Sequence, residues 1–419
     1  MLIEFQVTNF RSIKETQTLS LVAGAAKEFM RENTFEPGLP GFSRLLRSAV
    51  VYGANAAGKT NLLRALQFMQ GLVLNSAAFQ EGVRIAHAPF KLSKVTTNRP
   101  SEFEVVFADN GVRYEYGFAV DAERIHKEWL IAYPHGRPQN WFERTYHAKK
   151  KEYEWQFSTK LKGSSRVWRD ATRGNALFLS TAIQLNSEQL RPVFQWFQKK
   201  LVVIGMGGSQ FNLSLTLQLL EQPNGKQKLL NFIHAADLGI DDLLLQKESM
   251  TPVVVAEANL VREPLPASPV PTLMRVMSYH RTDTGEPVPL DLGDESNGTR
   301  ILFQSAGAWL NVLRNGEVLI YDELDTSLHP LMTRFLIRLF HSQSTNQKNA
   351  QLVFATHDTS LLDSDLFRRD QVWFVEKDKK SASRVYPLSD FSPRKDEALE
   401  RGYLRGRYGA LPFIGELKI

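Results

Sequence analysis

The alternation of apolar and polar residues predicts where the first strands and helices of this chain lie. Ile3, Phe5 and Val7 alternate with polar residues, which is the period of a strand with one buried face. Residues 45–53 form a short apolar run that ends in glycine, as expected for a buried strand. Apolar residues then recur at helical spacing over 62–72. The pattern therefore predicts a strand, a glycine turn and a helix in direct succession.

Polar turns inside alternating segments predict two β-hairpins before residue 160. Asp109-Asn110-Gly111 separates two strand patterns, and an Asn-Gly pair favours a tight hairpin turn. Residues 149–151 are three lysines at the tip of a second such pair. Runs of helical spacing follow, and they predict a mostly helical insert.

After residue 300, three apolar strands alternate with helical segments. Because this alternation typifies α/β folds, we expect an α/β core whose strands come from both ends of the sequence. The pattern divides the chain into 1–160 (amino-terminal part of the core), 161–250 (helical insert) and 251–419 (carboxy-terminal part of the core).

Composition limits the classes of protein that this chain can be. Its 419 residues include no cysteine, which excludes disulfides and thiolate metal sites and suits a reducing compartment. No apolar run approaches the roughly 18 residues that cross a bilayer, and the opening strand is unlike a signal peptide. We therefore expect a cytoplasmic protein that does not bind membranes. The net charge of +6 permits a nucleic-acid contact without demanding one.

The stretch "GANAAGKT" at 53–60 matches the phosphate-loop pattern G-x-x-x-x-G-K-[ST] and lies between a predicted strand and helix. Its glycines let the backbone wrap around a phosphate, and the N-terminus of a helix favours anions. We expect Lys59 to reach the β- and γ-phosphates and the Thr60 hydroxyl to ligate Mg²⁺. The chain has no guanine-reading motif, so the expected cofactors are ATP and Mg²⁺. The candidate nucleotide-binding residues are Gly53, Asn55, Ala56, Ala57, Gly58, Lys59, Thr60 and Asn61.

Two later strands end in polar residues that suit a nucleotide site. Asp322 and Glu323 follow the apolar strand "VLIY", and a metal ion is the usual means of offsetting buried adjacent carboxylates. We expect Asp322 to support Mg²⁺ through water, and Glu323 to orient or deprotonate the attacking water. His357 follows the apolar strand "QLVFA", where strand ends gather around ligands. We expect His357 to contact the γ-phosphate or the water.

The order of these motifs, with "SNGT" at 296–299 before "YDELDTSLHP" and "ATHD", resembles that of ABC/SMC-type ATPase heads. The resemblance implies an α/β P-loop NTPase head with a mixed sheet and an antiparallel β subdomain, carrying the helical insert. The opening "FQVTNFRSI" resembles the first strand of SMC, RecF and OLD-type heads, which implies that Arg11 lies near the nucleotide phosphates. By the same resemblance, Asp325 belongs to the D-loop and His357 is the switch histidine.

The "SNGT" turn has two compatible interpretations. Ser296 or Thr299 can cap the helix that follows. In ABC-type heads, the turn at this position is the signature, which meets the γ-phosphate bound by the other subunit. The resemblance therefore implies that Ser296, Gly298 and Thr299 complete the ATP site of a neighbour, in a homo-oligomer built from head-to-tail ATP-site dimers. One chain alone is then expected to be a poor ATPase.

The whole chain is also similar to RloA/AbiL-like AAA-type ATP-binding proteins of bacterial defence islands, from "NFRSI" through "ESNGTR" to "VWFVEKD" and the tail. That resemblance implies a sensor or scaffold subunit in anti-phage defence, working with a separately encoded, often nuclease-like effector. The chain departs from the ABC pattern because it has no clear Q-loop glutamine, for which Glu128 is a weak substitute. It also lacks the long coiled coil of true SMC proteins.

Other functions remain open at the level of sequence. Glu376 and Asp378 resemble part of a Toprim nuclease strand, but too few residues follow them to complete such a domain. A RecF-like or SMC-like DNA-binding repair ATPase would use the basic and aromatic residues around 149–169, for which a solvated hairpin tip is the simpler interpretation. A nucleotide-gated scaffold with slow turnover would share every site residue. The arginine- and tyrosine-rich tail at 401–408 contacts a partner or packs back onto the head.

Overall fold

The computed structural model describes residues 1–205, 213–249, 272–394 and 397–412. The chain forms two compact units, one made of Met1–Ser209 with Val312–Ile419 and the other of Gln210–Asn311. This division differs from the one expected from sequence, because the residues just after 160 belong to the first unit. Among the described residues, no helix combines the length and the apolar character needed to cross a membrane.

The described residues contain eighteen β-strands and ten α-helices. The strands are β1 (Leu2–Thr8), β2 (Gln17–Ser20), β3 (Thr34–Phe35), β4 (Leu45–Leu46), β5 (Ser48–Tyr52), β6 (Ser101–Asp109), β7 (Val112–Val120), β8 (Ile125–Tyr133), β9 (Gln139–His147), β10 (Glu152–Phe157), β11 (Leu201–Ile204), β12 (Asp242–Ser249), β13 (Thr272–Arg281), β14 (Pro287–Asp291), β15 (Val318–Tyr321), β16 (Gln351–Ala355), β17 (Val372–Lys377) and β18 (Ser383–Pro387). The helices are α1 (Lys59–Asn75), α2 (Lys94–Thr97), α3 (Ser165–Ala171), α4 (Phe178–Gln184), α5 (Arg191–Gln195), α6 (Leu213–Glu221), α7 (Gly225–Ala235), α8 (Asn297–Asn315), α9 (Pro330–His341) and α10 (Leu399–Leu404).

An antiparallel sheet in the first unit has the strand order β10-β9-β8-β7-β6-β1-β2. The alternation predicted for the first strand is confirmed, because Ile3, Phe5 and Val7 are all buried. The two predicted hairpins are also confirmed, as β6–β7 and β9–β10. The first hairpin turns at Asn110 and Gly111, whose φ angles of 48° and 77° are ones that asparagine and glycine adopt at low cost.

The second sheet of this unit has the order β11-β15-β16-β5-β17-β18. β5 pairs in parallel with β16 on one side and with β17 on the other, although these strands lie far apart in sequence. β16 pairs in parallel with β15. The prediction of an α/β core with strands from both ends of the chain is therefore confirmed. Because the carboxyl ends of parallel strands meet at one edge, the residues that follow β5, β15 and β16 lie close together.

One hydrophobic core joins the two sheets of the first unit. Leu62 and Leu66 of α1 belong to it together with Phe103 of the antiparallel sheet. The segment after residue 160 also contributes to this core, since Trp196 stacks on Phe107 of β6 with 4.2 Å between ring centroids. Burial of these large aromatic side chains explains why the segment belongs to the first unit rather than to a separate insert.

The second unit contains α6, α7, a sheet of order β12-β13-β14, and most of α8. The predicted helices over 213–235 are confirmed. The helical interpretation was wrong for 242–249, which form strand β12 paired with β13. A short run of leucines fits a buried strand as well as a helix, and its pairing with a distant segment decided the outcome.

Candidate nucleotide-binding site

Residues 53–58 form a tight loop between β5 and α1. A Cβ atom on Gly53 would lie 2.2 Å from the carbonyl oxygen of Val375 in β17. A Cβ atom on Gly58, whose φ is +118°, would lie 2.2 Å from Oγ of Ser383 in β18. Ala56 also has a positive φ, of 61°, which costs a non-glycine residue about 1–2 kcal/mol. The neighbouring strands thus hold the loop in one shape that only glycine allows at both positions.

The N-terminus of α1 is suited to an anion. Gly58 is the N-cap residue, so no side chain accepts from the first N–H groups of the helix. These groups and the positive end of the helix dipole together favour a phosphate.

Lys59 is the first residue of α1, and its buried ammonium lies against the loop. Its Nζ donates to the carbonyl oxygens of Gly53 (2.7 Å) and Ala54 (3.2 Å) and lies 3.5 Å from Nδ1 of His357. Burial lowers the pKa of Lys59 to about 8, and nearby carboxylates, Asp322 foremost, act in the opposite direction. A buried cation whose charge is incompletely offset favours an anionic ligand.

Asp322 follows β15 and lies beside α1. Its Oδ1 accepts a hydrogen bond of 3.3 Å from the Thr60 hydroxyl, and only 5% of the residue is exposed. Burial raises the pKa of this carboxyl, and the charge of Glu323 raises it further. The Thr60 hydrogen bond and the charges of Arg64 and Lys59 lower it. A carboxylate and a hydroxyl oxygen are the hard oxygen ligands that Mg²⁺ prefers, and the ion usually keeps several waters beside them.

Glu323 is exposed, directly after the buried Asp322. Its backbone φ of 56° lies in the left-handed region, a strain that persists only where the surroundings enforce it. The next residue provides that constraint, because the N–H of Leu324 donates to the carbonyl oxygen of Ala355 in β16 at 3.1 Å. The strained turn therefore places Glu323 on the solvent side, directly after the buried Asp322.

His357 follows β16 and connects the phosphate loop to the segment after β15. Its backbone N–H lies 3.3 Å from both carboxylate oxygens of Asp325, and its ring nitrogen lies near Lys59. The side chain of His357 is exposed. Lys59, Asp325 and His357 thus form one connected group, drawn from three strand ends that are far apart in sequence.

The residues present fit a nucleotide with Mg²⁺. The uncapped helix N-terminus and the desolvated Lys59 suit phosphate oxygens. The raised pKa of Asp322 reflects a buried carboxylate that a metal cation would stabilise. Thr60 and Asp322 are the residues that would hold the metal, and Lys59 with the loop amides would hold the phosphates.

Residues 48–363 match the model of one protein family, described as an AbiEii toxin-like AAA domain of type IV toxin–antitoxin systems. The chain belongs to this family. Membership makes it a nucleotide-binding P-loop ATPase of AAA type with an α/β fold. The search of curated proteins found no match.

The match to the family model begins after Arg11, which the resemblance to SMC, RecF and OLD-type heads implies lies near the phosphates. Arg11 is exposed, and its backbone N–H donates to the carbonyl oxygen of Ala88 at 2.7 Å. Burial of part of the side chain and the charge of Arg64 lower the pKa of Arg11. Arg64 is a basic residue that sequence reasoning missed, although it follows Thr60 by one helical turn and faces the same way.

The other predicted nucleotide-binding residues differ in their exposure and in their hydrogen bonds. Asn55 and Ala56 are exposed at the tip of the loop, whereas Ala57 is buried. Asn61 donates from Nδ2 to Oγ of Ser12 at 2.8 Å, which turns its amide toward the opening segment of the chain. Ser12 lies in the stretch "NFRSI", where only Arg11 was expected to have a role.

The predicted signature residues belong to the second unit, where they begin α8. Oγ of Ser296 accepts a hydrogen bond from the N–H of Thr299 at 3.1 Å, so the capping interpretation is confirmed. Ser296 itself is exposed and Gly298 is half-buried. The preceding Glu295 accepts a hydrogen bond from Ser278 (2.5 Å) and lies 2.6 Å from Nε2 of His280. The turn is therefore anchored to β13, and the exposed Ser296 has its hydroxyl bonded to Thr299.

Glu128, the weak Q-loop substitute, has a structural role instead. It is fully buried and pairs with the fully buried Arg144 at 3.0 Å. Its carboxylate also accepts from the N–H groups of Phe178 (2.7 Å) and Leu179 (3.0 Å), the first residues of α4. A carboxylate with this many internal partners has little freedom to contact a ligand, so that interpretation was wrong.

The aromatic residues around the lysine tip are used for packing. Tyr153 donates its hydroxyl to the carbonyl oxygen of Ile125 at 2.8 Å. Trp155 packs on Phe178 with 5.4 Å between ring centroids. The outward positions of β10 alternate with these, and they include the exposed Glu152 and Glu154. The strand next to the lysines therefore presents carboxylates rather than rings for stacking.

Glu376 and Asp378, which resemble part of a nuclease strand, also make hydrogen bonds within the protein. Oε2 of Glu376 accepts from the N–H of Ala410 at 3.1 Å, and Asp378 caps the turn that follows β17.

In the tail, Tyr403 stacks on Phe374 of β17 with 5.4 Å between centroids. Glu400 accepts from the hydroxyl of Thr359, two residues after the switch position, at 2.9 Å. The described part of the tail thus packs back onto the first unit.

Proposed function

We propose that the protein is an ABC-type ATPase head that hydrolyses ATP with Mg²⁺ at an interface between two copies of the chain. The observation that carries this proposal is an asymmetry within one site. Lys59 and Asp322 are buried, whereas Glu323 and His357 are exposed beside them. On this proposal, one protomer encloses the phosphates and the metal, and the side from which water attacks is left facing solvent. A second protomer would exclude bulk water there, which strengthens every electrostatic interaction in the site.

Each residue has a role that its environment supports. Lys59 and the N–H groups at the start of α1 bind and orient the phosphates. Thr60 and Asp322 hold Mg²⁺, which neutralises developing charge when bound. Glu323 orients or deprotonates the water from the solvent-facing side of the site. His357 contacts the γ-phosphate side and is linked to Asp325 through its backbone N–H.

The other half of the site is proposed to come from the capped start of α8. Ser296 is exposed at the start of this helix, and a helix N-terminus favours anions. Head-to-tail pairing would bring Ser296 and Gly298 of one protomer to the γ-phosphate side of the other. Such a closed, twofold arrangement is the commonest form of homo-oligomer.

We further propose that this ATPase is the sensor or scaffold subunit of an anti-phage defence complex with a separately encoded effector. The family's description as part of toxin–antitoxin systems supports a two-component arrangement, and the resemblance to defence-island ATPases supports the biological role. A RecF-like or SMC-like DNA-binding ATPase is the alternative, and it has less support. The rings that would stack on bases instead pack inside the protein.

Two variants test the ATPase proposal. Lys59→Ala is expected to abolish nucleotide binding because it removes the buried cation from the phosphate loop. Glu323→Gln is expected to bind ATP but not hydrolyse it, so that a closed dimer accumulates. Phosphate release and light scattering after size-exclusion chromatography, with ATP and with ADP, measure both effects. Hydrolysis by Glu323→Gln at the wild-type rate would show that this residue does not act on the water.

A further inference from the structure

Three polar side chains from distant parts of the first unit meet behind the phosphate loop. Nδ2 of Asn61, in the first turn of α1, donates to Oγ of Ser12 at 2.8 Å. Oγ of Ser12 lies 2.8 Å from Oγ of Ser383 in β18. Oγ of Ser383 lies 2.5 Å from the carbonyl oxygen of Ala57 in the loop itself. The opening segment and a carboxy-terminal strand therefore both reach the loop through hydroxyl groups.

The chemistry of these groups fixes the direction of the hydrogen bonds. A hydroxyl carries one proton, and a carbonyl oxygen can only accept. Ser383 Oγ donates to the carbonyl oxygen of Ala57 and also to Oγ of Ser12, so its one proton lies between these two acceptors. Ser12 also accepts from Nδ2 of Asn61, which holds Ser12 in place beside the Ser383 hydroxyl. We call this hydrogen-bond network of Asn61, Ser12, Ser383 and the Ala57 carbonyl the relay.

The relay ends on the peptide that carries a phosphate-binding group. The carbonyl of Ala57 and the N–H of Gly58 belong to one planar trans peptide and point in opposite directions. When Ser383 holds the carbonyl on one side, it turns the N–H of Gly58 to the other. The same close approach explains why residue 58 is glycine, since a Cβ there would lie 2.8 Å from Oγ of Ser12 as well as striking Ser383.

We propose that Ser12 and Ser383 are positioning residues for nucleotide binding. Their relay keeps the peptide between Ala57 and Gly58 in the phosphate-binding orientation before nucleotide arrives, so that less ordering is needed on binding. The inference deepens the proposed function, because it requires that nucleotide binds at this loop. It assigns a role to two residues outside the phosphate-loop motif.

A purely structural role for the serines makes a different prediction. The N–H of Ser383 also donates to the carbonyl oxygen of Ser12 at 2.7 Å, and this backbone bond joins the two segments without the hydroxyls. Ser→Ala substitutions remove the relay but leave that bond in place. If the hydroxyls only join the segments, their loss lowers thermal stability and leaves nucleotide affinity unchanged.

The test is calorimetric titration of the full chain with ADP and Mg²⁺, with the melting temperature measured alongside. Ser383→Ala is expected to weaken ADP binding about three- to tenfold, the usual worth of one net hydrogen bond. Ser12→Ala is expected to weaken it similarly, and the double variant no more than either alone, because both serines serve one relay. Ser383→Thr keeps a hydroxyl and is expected to restore most of the affinity. Ser342→Ala, in an exposed pair of serine hydroxyls, is the matched control.

The outcomes separate the two proposals. Unchanged ADP affinity in Ser12→Ala and Ser383→Ala, with Lys59→Ala unable to bind, would overturn the relay and leave the ATPase proposal standing. Full binding by Lys59→Ala would instead overturn nucleotide binding at this loop. If Ser383→Ala does not fold, Ser12→Ala carries the test alone, since Ser12 is only half-buried.

Discussion

Lys59 combines two opposing requirements in one residue. Its ammonium must be out of water to bind phosphate strongly, yet burial lowers its pKa to about 8 and disfavours the charged form. Two carbonyl oxygens hold it in place meanwhile. Groups with pKa values perturbed in this way concentrate at functional sites, where a bound ligand of opposite charge offsets the cost of burying the charged group.

The pKa of Lys59 predicts how nucleotide affinity depends on pH. Bound phosphate favours the ammonium, so it raises the pKa of Lys59 in the complex above its value in the free protein. Affinity is therefore expected to be constant below pH 8 and to fall as pH rises above it, by up to about tenfold per unit. Titrations with ADP and Mg²⁺ from pH 7 to 9.5 measure this dependence.

Lys59→Arg is the control for that experiment. Its guanidinium stays charged over the whole range, so its affinity, whatever its absolute value, should not vary with pH. An equal decline in the wild-type protein and in Lys59→Arg would show that another group titrates.

At the scale of elements, the ion pair between Glu128 and Arg144 fixes β8, β9 and α4 together. The two residues lie opposite each other on paired strands, and Glu128 also caps the start of α4. Arg144 adds a hydrogen bond to the carbonyl oxygen of Ala176 at 2.5 Å. Both side chains are fully buried, so each depends on the other to offset the loss of hydration.

Glu128→Ala is therefore expected to lower the free energy of unfolding by about 3–5 kcal/mol, because it leaves Arg144 buried without a counter-charge. Urea denaturation followed by circular dichroism measures the change. Glu143→Ala is a matched control on the same strand pair, since Glu143 bonds the part-exposed Lys127 at 3.1 Å. Its expected effect is within about 1 kcal/mol. An equal loss of unfolding free energy in the two variants would mean that burial does not determine how much the pair stabilises the fold.

At the scale of the whole molecule, the proposal of a shared ATP site predicts complementation between two defective variants. Lys59→Ala lacks the phosphate-loop cation. Ser296→Asp keeps a good helix cap but sets a negative charge against the neighbour's γ-phosphate. Each variant alone is expected to be nearly inactive. A mixed dimer contains one intact site, so an equal mixture should regain about a quarter of the wild-type ATPase rate.

The measurement is phosphate release from the separate and the mixed variants at the same total concentration. Ser296→Asn, which caps the helix without adding charge, distinguishes electrostatic repulsion from loss of the cap. No gain of activity on mixing would contradict a site shared between protomers, even if the wild-type protein is an active ATPase.

Some features of the first unit could be predicted because they depend on short stretches of sequence. The phosphate loop needs glycine at 53 and 58 and lysine at 59, and these residues lie together in the chain. The alternation of β1 and the Asn-Gly hairpin are likewise local. The boundary of the second unit and strand β12 could not be predicted, because both depend on which distant segments pack together.

By itself, then, the sequence determined the P-loop class, the α/β core and the residues at the ends of β5, β15 and β16, since each rests on local pattern and residue type. The tertiary structure alone decided what surrounds them. Burial lowers the pKa of Lys59 and raises that of Asp322, and the buried pairing with Arg144 gives Glu128 a structural role. The packing of distant segments brings Ser12 and Ser383 together behind the loop. Hydration and long-range contacts control these outcomes, and neither can be read from neighbouring residues in the chain.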